Sequence, residues 1–174
     1  MNQVIALIGS PGAGKTTVGQ CLAGQLAWPF LDTDQVVEQM SGRSVADIFT
    51  ADGEAQFRRI ERQAVHNCLT VEQGARVVAL GGGAVLDMAN RADLAKEPMV
   101  VYLEVAEDTA MARVGLAASR PLLAVSPRAR WRTLMAERRP IYQSLADLSL
   151  STDQLTPTQA AERIISHFGL PTAL

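Results

Sequence analysis

The residues with the clearest chemistry form a glycine-rich segment near the start of the chain, Gly9-Ser10-Pro11-Gly12-Ala13-Gly14-Lys15-Thr16. This segment, here called the phosphate loop, fits the pattern G-x-x-x-x-G-K-[ST], including the hydroxyl at its last position. Glycines allow successive backbone N–H groups to point inward around an anion, and a helix that begins here adds the positive end of its dipole. The loop therefore predicts a site for a nucleoside triphosphate, in which Lys15 bridges the β- and γ-phosphates and Thr16 holds Mg²⁺.

The residues on either side of the phosphate loop have the patterns that such a site requires. An apolar run precedes it and predicts a buried strand at Val4–Ile8, while apolar residues at helical spacing follow through Thr17–Leu26. A glycine-rich turn without a ligand is the alternative interpretation, but it leaves Lys15 and Thr16 without a role.

Two carboxylates, Asp32 and Asp34, come directly after a second predicted strand, Pro29–Leu31. If the extended geometry continues, a period of two places both on one side of the chain. Asp32 can then hold Mg²⁺, and Asp34 can take a proton from an attacking hydroxyl. Alternatively, Asp34 caps a helix at Gln35–Met40. The spacing does not choose between these roles, which are compatible with each other.

A basic and an acidic residue share one face of a long predicted helix, which runs from Glu54 to about Val71 after a turn at Asp52-Gly53. Because Glu61 follows Arg58 by three residues, the two side chains can pair. As a solvated ion pair they contribute only about 0–1 kcal/mol. The functional alternative is that Glu61 orients the guanidinium of Arg58 toward a substrate carboxylate.

Three consecutive glycines, Gly81, Gly82 and Gly83, end the third predicted strand, Arg76–Leu80. They would be costly inside a helix or strand, whereas at the carboxyl end of a strand they allow a ligand to lie against the backbone. A flexible turn is the alternative interpretation.

The second half of the chain adds further arginines. Arg113 lies in a predicted helix, Glu107–Val114, and is followed by a weakly patterned stretch that we predict to be a mobile lid at about residues 115–126. Closure of the lid would bring Arg120 over the phosphates and exclude water, although an ordinary surface loop is the alternative. A longer helix is predicted at Pro127–Leu145, where Pro140 interrupts a segment that carries Arg138.

Composition limits the remaining possibilities. The 174 residues predict a single domain spanning 1–174, and a net charge of −2 provides no broad basic surface for nucleic acid. No apolar run is long enough to span a membrane, and no signal-peptide pattern begins the sequence, so we expect a cytoplasmic protein and, in addition, a monomer. Cys21 and Cys68 have no metal-type spacing and are expected to be small buried side chains.

Short apolar runs alternate with longer helical patterns along the chain, which predicts an α/β fold with a parallel sheet and helices on both faces. Ligands of such sheets bind at the carboxyl ends of the strands, where the phosphate loop, the two carboxylates and the three glycines lie. The candidate strands are Val4–Ile8, Pro29–Leu31, Arg76–Leu80, Met99–Leu103 and Leu148–Leu150.

Taken in order, these segments resemble the shikimate kinase family. The resemblance extends over about residues 4–157 and is specific only as a set. Beyond the phosphate loop it rests on Leu31-Asp32-Thr33-Asp34, Gly42-Arg43-Ser44, Gly53-Glu54, Phe57-Arg58-Arg59-Ile60-Glu61, Leu80-Gly81-Gly82-Gly83-Ala84, Arg120-Pro121-Leu122-Leu123 and Arg138-x-Pro140-x-Tyr142.

The resemblance implies a three-layer P-loop kinase fold like that of nucleoside monophosphate kinases, with a five-stranded parallel sheet of order 2-3-1-4-5. It implies transfer of the ATP γ-phosphate to the 3-hydroxyl of shikimate, with Mg²⁺, in aromatic amino acid biosynthesis. The implied shikimate-binding region is about residues 34–61. A gluconate kinase and a regulatory ATPase are the alternative functions, and the triple glycine with the Asp34 and Arg138 segments favours shikimate.

The resemblance also assigns site residues. The implied catalytic residues are Lys15, Asp34 and Arg120, and the implied metal ligands are Thr16 and Asp32. Shikimate contacts are implied for Asp34, Arg58, Gly81, Gly82, Gly83 and Arg138. ATP contacts are implied for Gly12, Ala13, Gly14, Lys15, Thr16, Thr17, Arg113, Arg120 and Pro157, of which Arg113 and Pro157 would sandwich the adenine.

Two positions leave alternatives open. Gln154 and Leu155 stand where some relatives carry an arginine over the adenine, which leaves the contacts to the base undetermined. Arg139 follows Arg138 directly, and either could reach the substrate. The spacing of Arg138 to Pro140 and Tyr142 favours Arg138.

Overall fold

A computed structural model describes residues 3–70, 74–96, 99–117 and 126–172. Its centre is one sheet of five parallel strands in the order β2-β3-β1-β4-β5. The strands are β1 (Val4–Ile8), β2 (Phe30–Asp32), β3 (Arg76–Ala79), β4 (Val100–Glu104) and β5 (Leu148–Ser151). The predicted α/β fold and strand order are therefore confirmed.

Helices connect the strands and flank the sheet. They are α1 (Lys15–Leu26), α2 (Thr33–Ser41), α3 (Val45–Thr70), α4 (Met88–Leu94), α5 (Glu107–Ala117), α6 (Pro127–Leu145) and α7 (Pro157–Phe168), with a 3₁₀ turn at Ala84–Leu86. Every residue of β1 and β3 is buried. Because successive side chains of a strand point to opposite faces, both faces of the sheet must be covered, as the predicted three-layer arrangement requires.

Several predicted boundaries move by one or two residues. The second strand lies at Phe30–Asp32 instead of Pro29–Leu31, since Phe30 and Asp32 pair with Val77 and Ala79 of β3. The helix that follows begins at Thr33 instead of Gln35, so the extended geometry assumed for Asp32 and Asp34 ends at Asp32.

The predicted turn at Asp52-Gly53 is confirmed as a break within α3. Gly53 has φ 82° and ψ 174°, which are not helical values, so the element consists of two helical segments meeting there. The later of the two carries Arg58 and Glu61 toward the site.

Candidate active site

The phosphate loop joins the end of β1 to the start of α1. Gly12 and Gly14 have φ of 84° and 88°, a left-handed conformation that residues with a Cβ rarely adopt. The ammonium group of Lys15 donates hydrogen bonds to the carbonyls of Gly9 (2.8 Å) and Ser10 (3.1 Å). Burial lowers the pKa of Lys15 to about 8, although Asp34 and Asp32 act in the opposite direction. The loop thus holds its lysine folded back over its own backbone.

The carboxylate of Asp32 has two hydrogen-bond donors. Thr16 donates its hydroxyl to Oδ2 (2.9 Å), and the backbone N–H of Asp34 donates to Oδ1 (3.0 Å). Asp32 is therefore the N-cap of α2, and the alternative in which Asp34 caps this helix is wrong. Both acids still face one cavity, because the cap residue and the first turn of the helix lie side by side.

The pair formed by Thr16 and Asp32 fits a magnesium site. A hydroxyl and a carboxylate supply the oxygen ligands that Mg²⁺ prefers, and this ion commonly keeps several waters and takes substrate phosphate oxygens as further ligands. Within the part of the chain that the structure describes, no group of three or more His, Cys, Asp or Glu residues could hold a metal ion. An ion held by Thr16 and Asp32 would therefore need water or phosphate oxygens as its remaining ligands.

One cavity of about 530 Å³ connects these elements. The phosphate loop forms one side of it with Lys15 and Thr16, the acids Asp32 and Asp34 form the second side, and Gly81 and Gly82 form the third. Partial burial in this cavity, followed by the charge of Asp32, raises the pKa of Asp34, whose side chain nevertheless remains in contact with solvent. A carboxylate with a raised pKa is better suited to accept a proton.

A side chain would not fit at either end of the segment Gly81-Gly82-Gly83. A Cβ on Gly81 would lie 2.8 Å from Oδ1 of Asp34 and 2.9 Å from Oε1 of Glu61, and one on Gly83 would lie 2.5 Å from Nη2 of Arg58. These glycines therefore leave room for charged side chains. Their backbone is also anchored, because Gly81 donates its N–H to the hydroxyl of Thr33 (2.9 Å).

Arg58 and Glu61 form an ion pair with an Nη1 to Oε2 distance of 2.6 Å. The side chain of Glu61 is only 2% exposed, so the simple solvated pair considered from the sequence is wrong. Burial raises the pKa of Glu61, while Arg58 opposes this shift. A second carboxylate, that of Glu54, lies 3.3 Å from the Arg58 guanidinium and is 67% exposed.

Arg138 and Arg139 lie in different environments on α6. Arg138 is 8% exposed, and its Nη1 would lie 3.5 Å from a Cβ on Gly82. Its Nε has no hydrogen-bond partner among the described residues. Arg139 is exposed and lines a separate cavity with Glu107 and Trp131. Of the two arginines, the structure brings Arg138 to the glycine segment.

A smaller cavity of about 310 Å³ adjoins the phosphate loop and is lined by both residues expected to hold the adenine, Arg113 and Pro157. Leu155, one of the two residues at the position where some relatives carry an arginine, lines it too. Pro157 begins α7 after the N-cap Thr156, whose side chain forms a capping box with Gln159. Arg120 lies outside the described residues, as does the part of the predicted lid from 118 to 125.

Sequence reasoning missed two buried threonines. Thr33, between the two acids, anchors Gly81, and Thr152, after β5, contacts the phosphate loop. Thr33 stands between Asp32 and Asp34, and this position next to two predicted site residues could have indicated its role. No local pattern marks Thr152, because its partners lie far away along the chain.

The fold and the site together define the class of this protein: it is a P-loop kinase for a small molecule. A family model for shikimate kinase matches residues 11–168. The chain belongs to the shikimate kinase family. Members of this family transfer the γ-phosphate of ATP to the 3-hydroxyl of shikimate with Mg²⁺ as cofactor, and this chain is an ATP-dependent enzyme of that kind.

Relatives of known name agree over almost the whole chain. It is 54% identical over 167 residues to the shikimate kinase of Thermobifida fusca (strain YX), which covers 96% of this chain and 94% of the relative. It is 48% identical over 161 residues to the shikimate kinase of Streptomyces coelicolor, covering 91% of this chain and 92% of the relative. Among solved structures, a shikimate kinase from Acinetobacter baumannii in complex with shikimate superposes with a TM-score of 0.88 at 34% identity, covering 97% of this chain and 93% of that one.

Within the described residues, no helix is long and apolar enough to cross a membrane.

Proposed function

We propose that the enzyme binds its two substrates on opposite sides of the 530 Å³ cavity, with Lys15 on the nucleotide side and Asp34 on the acceptor side. The main support for this proposal is that three chain segments line the same cavity: the phosphate loop, the acids after β2 and the glycines after β3. Each segment follows a parallel strand, which is where ligands of such sheets bind.

On the nucleotide side, the backbone of Gly12, Ala13 and Gly14 surrounds the phosphates, with Thr17 at the start of α1. Lys15 leaves the carbonyls of Gly9 and Ser10 for the phosphate oxygens, and Thr16 and Asp32 hold Mg²⁺. Arg113 and Pro157 hold the adenine in the adjoining cavity, which both line.

On the acceptor side, Arg58 and Arg138 bind the carboxylate of shikimate. Both are available for it: Arg138 has an unpaired buried Nε among the described residues, and Arg58 is oriented by Glu61. Gly81, Gly82 and Gly83 allow the ring of the acceptor to approach the backbone. Guanidinium groups favour a planar anion that can accept two parallel hydrogen bonds.

Asp34 orients the 3-hydroxyl of shikimate and accepts its proton, and its raised pKa suits that role. Lys15 and Arg120 stabilise the charge that develops on the transferred phosphoryl group. We further propose that residues 34–61 form the shikimate-binding region, that residues 115–126 close over the site, and that the enzyme works as a cytoplasmic monomer.

Paired substitutions of neighbouring arginines test the acceptor side. Arg58→Ala and Arg138→Ala should raise the KM for shikimate by at least about thirtyfold, because each removes one of the two guanidinium groups proposed to bind the shikimate carboxylate. The KM for ATP should change little. Arg59→Ala and Arg139→Ala are matched controls, since both side chains are exposed neighbours of these positions. Equal effects on both substrates, or equal effects of the controls, would contradict the assignment.

Asp34→Asn tests the proton acceptor. ATP binding should persist while kcat falls by about 10²–10⁴, the usual range for loss of a general base. Glu38→Gln, one helical turn further along α2, is the control. A near-normal kcat for Asp34→Asn would reduce this residue to a hydrogen-bonding role.

A further inference from the structure

Thr152 is a buried residue directly after β5 that has no role in the assignments above. Its hydroxyl is near three groups at once, two of which belong to the nucleotide side. The hydroxyl lies 3.0 Å from the carbonyl of Ala13 and 3.1 Å from that of Glu104, and Nη1 of Arg113 donates to the hydroxyl oxygen at 3.0 Å. Only 3% of the residue is exposed.

A hydroxyl has one proton, so only one of the two carbonyls can receive it at a time. The carbonyl of Glu104 already accepts the backbone N–H of Thr152 at 2.9 Å, as part of the β4–β5 pairing. The Thr152 hydroxyl therefore donates its proton to the carbonyl of Ala13. The same hydroxyl oxygen accepts a hydrogen bond from Arg113. The threonine thus joins the phosphate loop to the adenine side of the site.

This hydrogen bond sets the orientation of one peptide unit of the phosphate loop. In a planar trans peptide, the carbonyl of Ala13 and the N–H of Gly14 point in opposite directions. Gly14 lines the 530 Å³ cavity, whereas Thr152 does not. Holding the Ala13 carbonyl toward Thr152 therefore turns the Gly14 N–H toward the place of the phosphates, as an anion site requires.

Arg113 acts on the preceding peptide in the same way. Its Nη1 donates to the carbonyl of Gly12 at 3.0 Å, and its Nη2 donates to the backbone carbonyl of Thr152 at 3.0 Å. Arg113 therefore donates two hydrogen bonds to Thr152, one to its hydroxyl and one to its carbonyl, and these fix the guanidinium while it holds the loop. Without the hydroxyl, a buried carbonyl and one arginine N–H would both lose a partner, which costs more than the bond itself contributes.

We propose that Thr152 is a positioning residue for ATP: its hydroxyl holds the Ala13 carbonyl away from the phosphates and orients Arg113 beside the adenine. The proposal rests on the proposed assignment of the Arg113 side of the site to ATP. It concerns the nucleotide only, since no hydrogen bond of Thr152 reaches the glycine segment or Asp34 among the described residues.

The test compares Thr152→Val, which keeps the volume and loses the hydroxyl, with Thr152→Ser, which keeps the hydroxyl. Thr152→Val should raise the KM for ATP about tenfold, the effect of losing hydrogen bonds to a charged group, with the KM for shikimate within about twofold of the wild type. Thr152→Ser should restore the KM for ATP. Thermal denaturation identifies the folded variants, and Thr152→Ala removes the same hydroxyl if the valine variant does not fold.

The results distinguish a failure of the role proposed for Thr152 from a failure of the assignment of Arg113 to the ATP site. If Arg113→Ala weakens ATP binding while the folded variants without the hydroxyl do not, Thr152 has no positioning role. If Arg113→Ala and Thr152→Val both leave the KM for ATP unchanged, the proposed adenine site is itself wrong. A loss shared equally between ATP and shikimate, and not restored by Thr152→Ser, would show that Thr152 supports only the fold.

Discussion

The carboxylate of Glu61 lies between the guanidinium of Arg58 and the backbone of Gly81. Its Oε2 is 2.6 Å from Nη1 of Arg58, and its Oε1 is 2.9 Å from the place where Gly81 would carry a Cβ. One buried acid therefore connects the helix that supplies an arginine with the loop that supplies the glycines. This contact explains why a charged pair and a run of small residues belong to the same site.

The first prediction concerns this acid. Glu61→Gln should raise the KM for shikimate about tenfold and leave the KM for ATP nearly unchanged, because Arg58 loses a charge-assisted hydrogen bond that orients it. Glu54→Gln is the matched control, since Glu54 also contacts Arg58 but is 67% exposed, and exposed ion pairs contribute little. Steady-state kinetics with each substrate varied would measure both. Equal effects of the two substitutions would contradict an orienting role for Glu61.

The second prediction concerns the space beside the glycines. Gly81→Ala should lower kcat/KM for shikimate by at least about tenfold while the protein still folds, because the new methyl group must displace the flexible ends of Asp34 and Glu61. Gly24→Ala is the control. Gly24 is exposed in α1 with nothing within 4 Å of the added Cβ, so this change should leave activity intact and stabilise the helix by about 0.4–1 kcal/mol. A fully active Gly81→Ala enzyme would show that Asp34 and Glu61 can be displaced without loss of activity.

The third prediction concerns the alkaline limb of the pH profile. The pKa of Lys15 in the free protein is about 8, so kcat/KM for ATP should fall as the pH rises through that value and the ammonium loses its proton. Bound phosphates favour the charged form, so the corresponding limb of kcat should lie at higher pH. At each pH from 6 to 10, rates would be measured at saturating shikimate over a range of ATP concentrations. The pH profile of kcat/KM for ATP would then be compared with the pH profile of kcat. Coincident alkaline limbs would mean that Lys15 does not contact the phosphates.

The fourth prediction concerns stability away from the site. Asp93 on α4 is 5% exposed and pairs with Arg62 and His66 of α3 and with Lys96. Burial opposes its ionisation, but hydrogen bonds from His66, Lys96 and Arg62 outweigh this and lower its pKa to about 2. A carboxyl group with a lowered pKa in the folded state stabilises the protein above its unfolded pKa, and this stability is lost as the pH falls toward 2.

Asp93→Asn should therefore lower the free energy of unfolding by about 2 kcal/mol near neutral pH, and the difference from wild type should shrink between about pH 4 and pH 2. Urea unfolding at several pH values would measure it. Asp108→Asn is the control, because the side chain of Asp108 is 86% exposed in its pair with Arg128 and should contribute less than about 1 kcal/mol. A difference that does not depend on pH would point to lost packing instead of lost charge.

Predictions from sequence were accurate where the physics is local. The phosphate loop with its strand and helix, the break at Gly53 and the capped start of α7 each depend on residues within one or two turns of each other. The acids were placed on one cavity for the wrong reason: continued extension was assumed, whereas Asp32 caps a helix that begins at Thr33. The expectation succeeded because a cap and the first turn are neighbours in either geometry.

Short-range sequence patterns were therefore enough to predict the phosphate loop, the alternation of strands and helices, and a family resemblance. Backbone propensities and glycine conformations act over only a few residues. Three matters depended on the folded chain: Arg138 and not Arg139 meets Gly82, Glu61 is buried, and Thr152 reaches Ala13 from 139 residues away. Such contacts arise when parallel strands bring distant segments to the same edge of the sheet. Burial then decides which charges lose water and must find partners, and no short stretch of sequence contains that information.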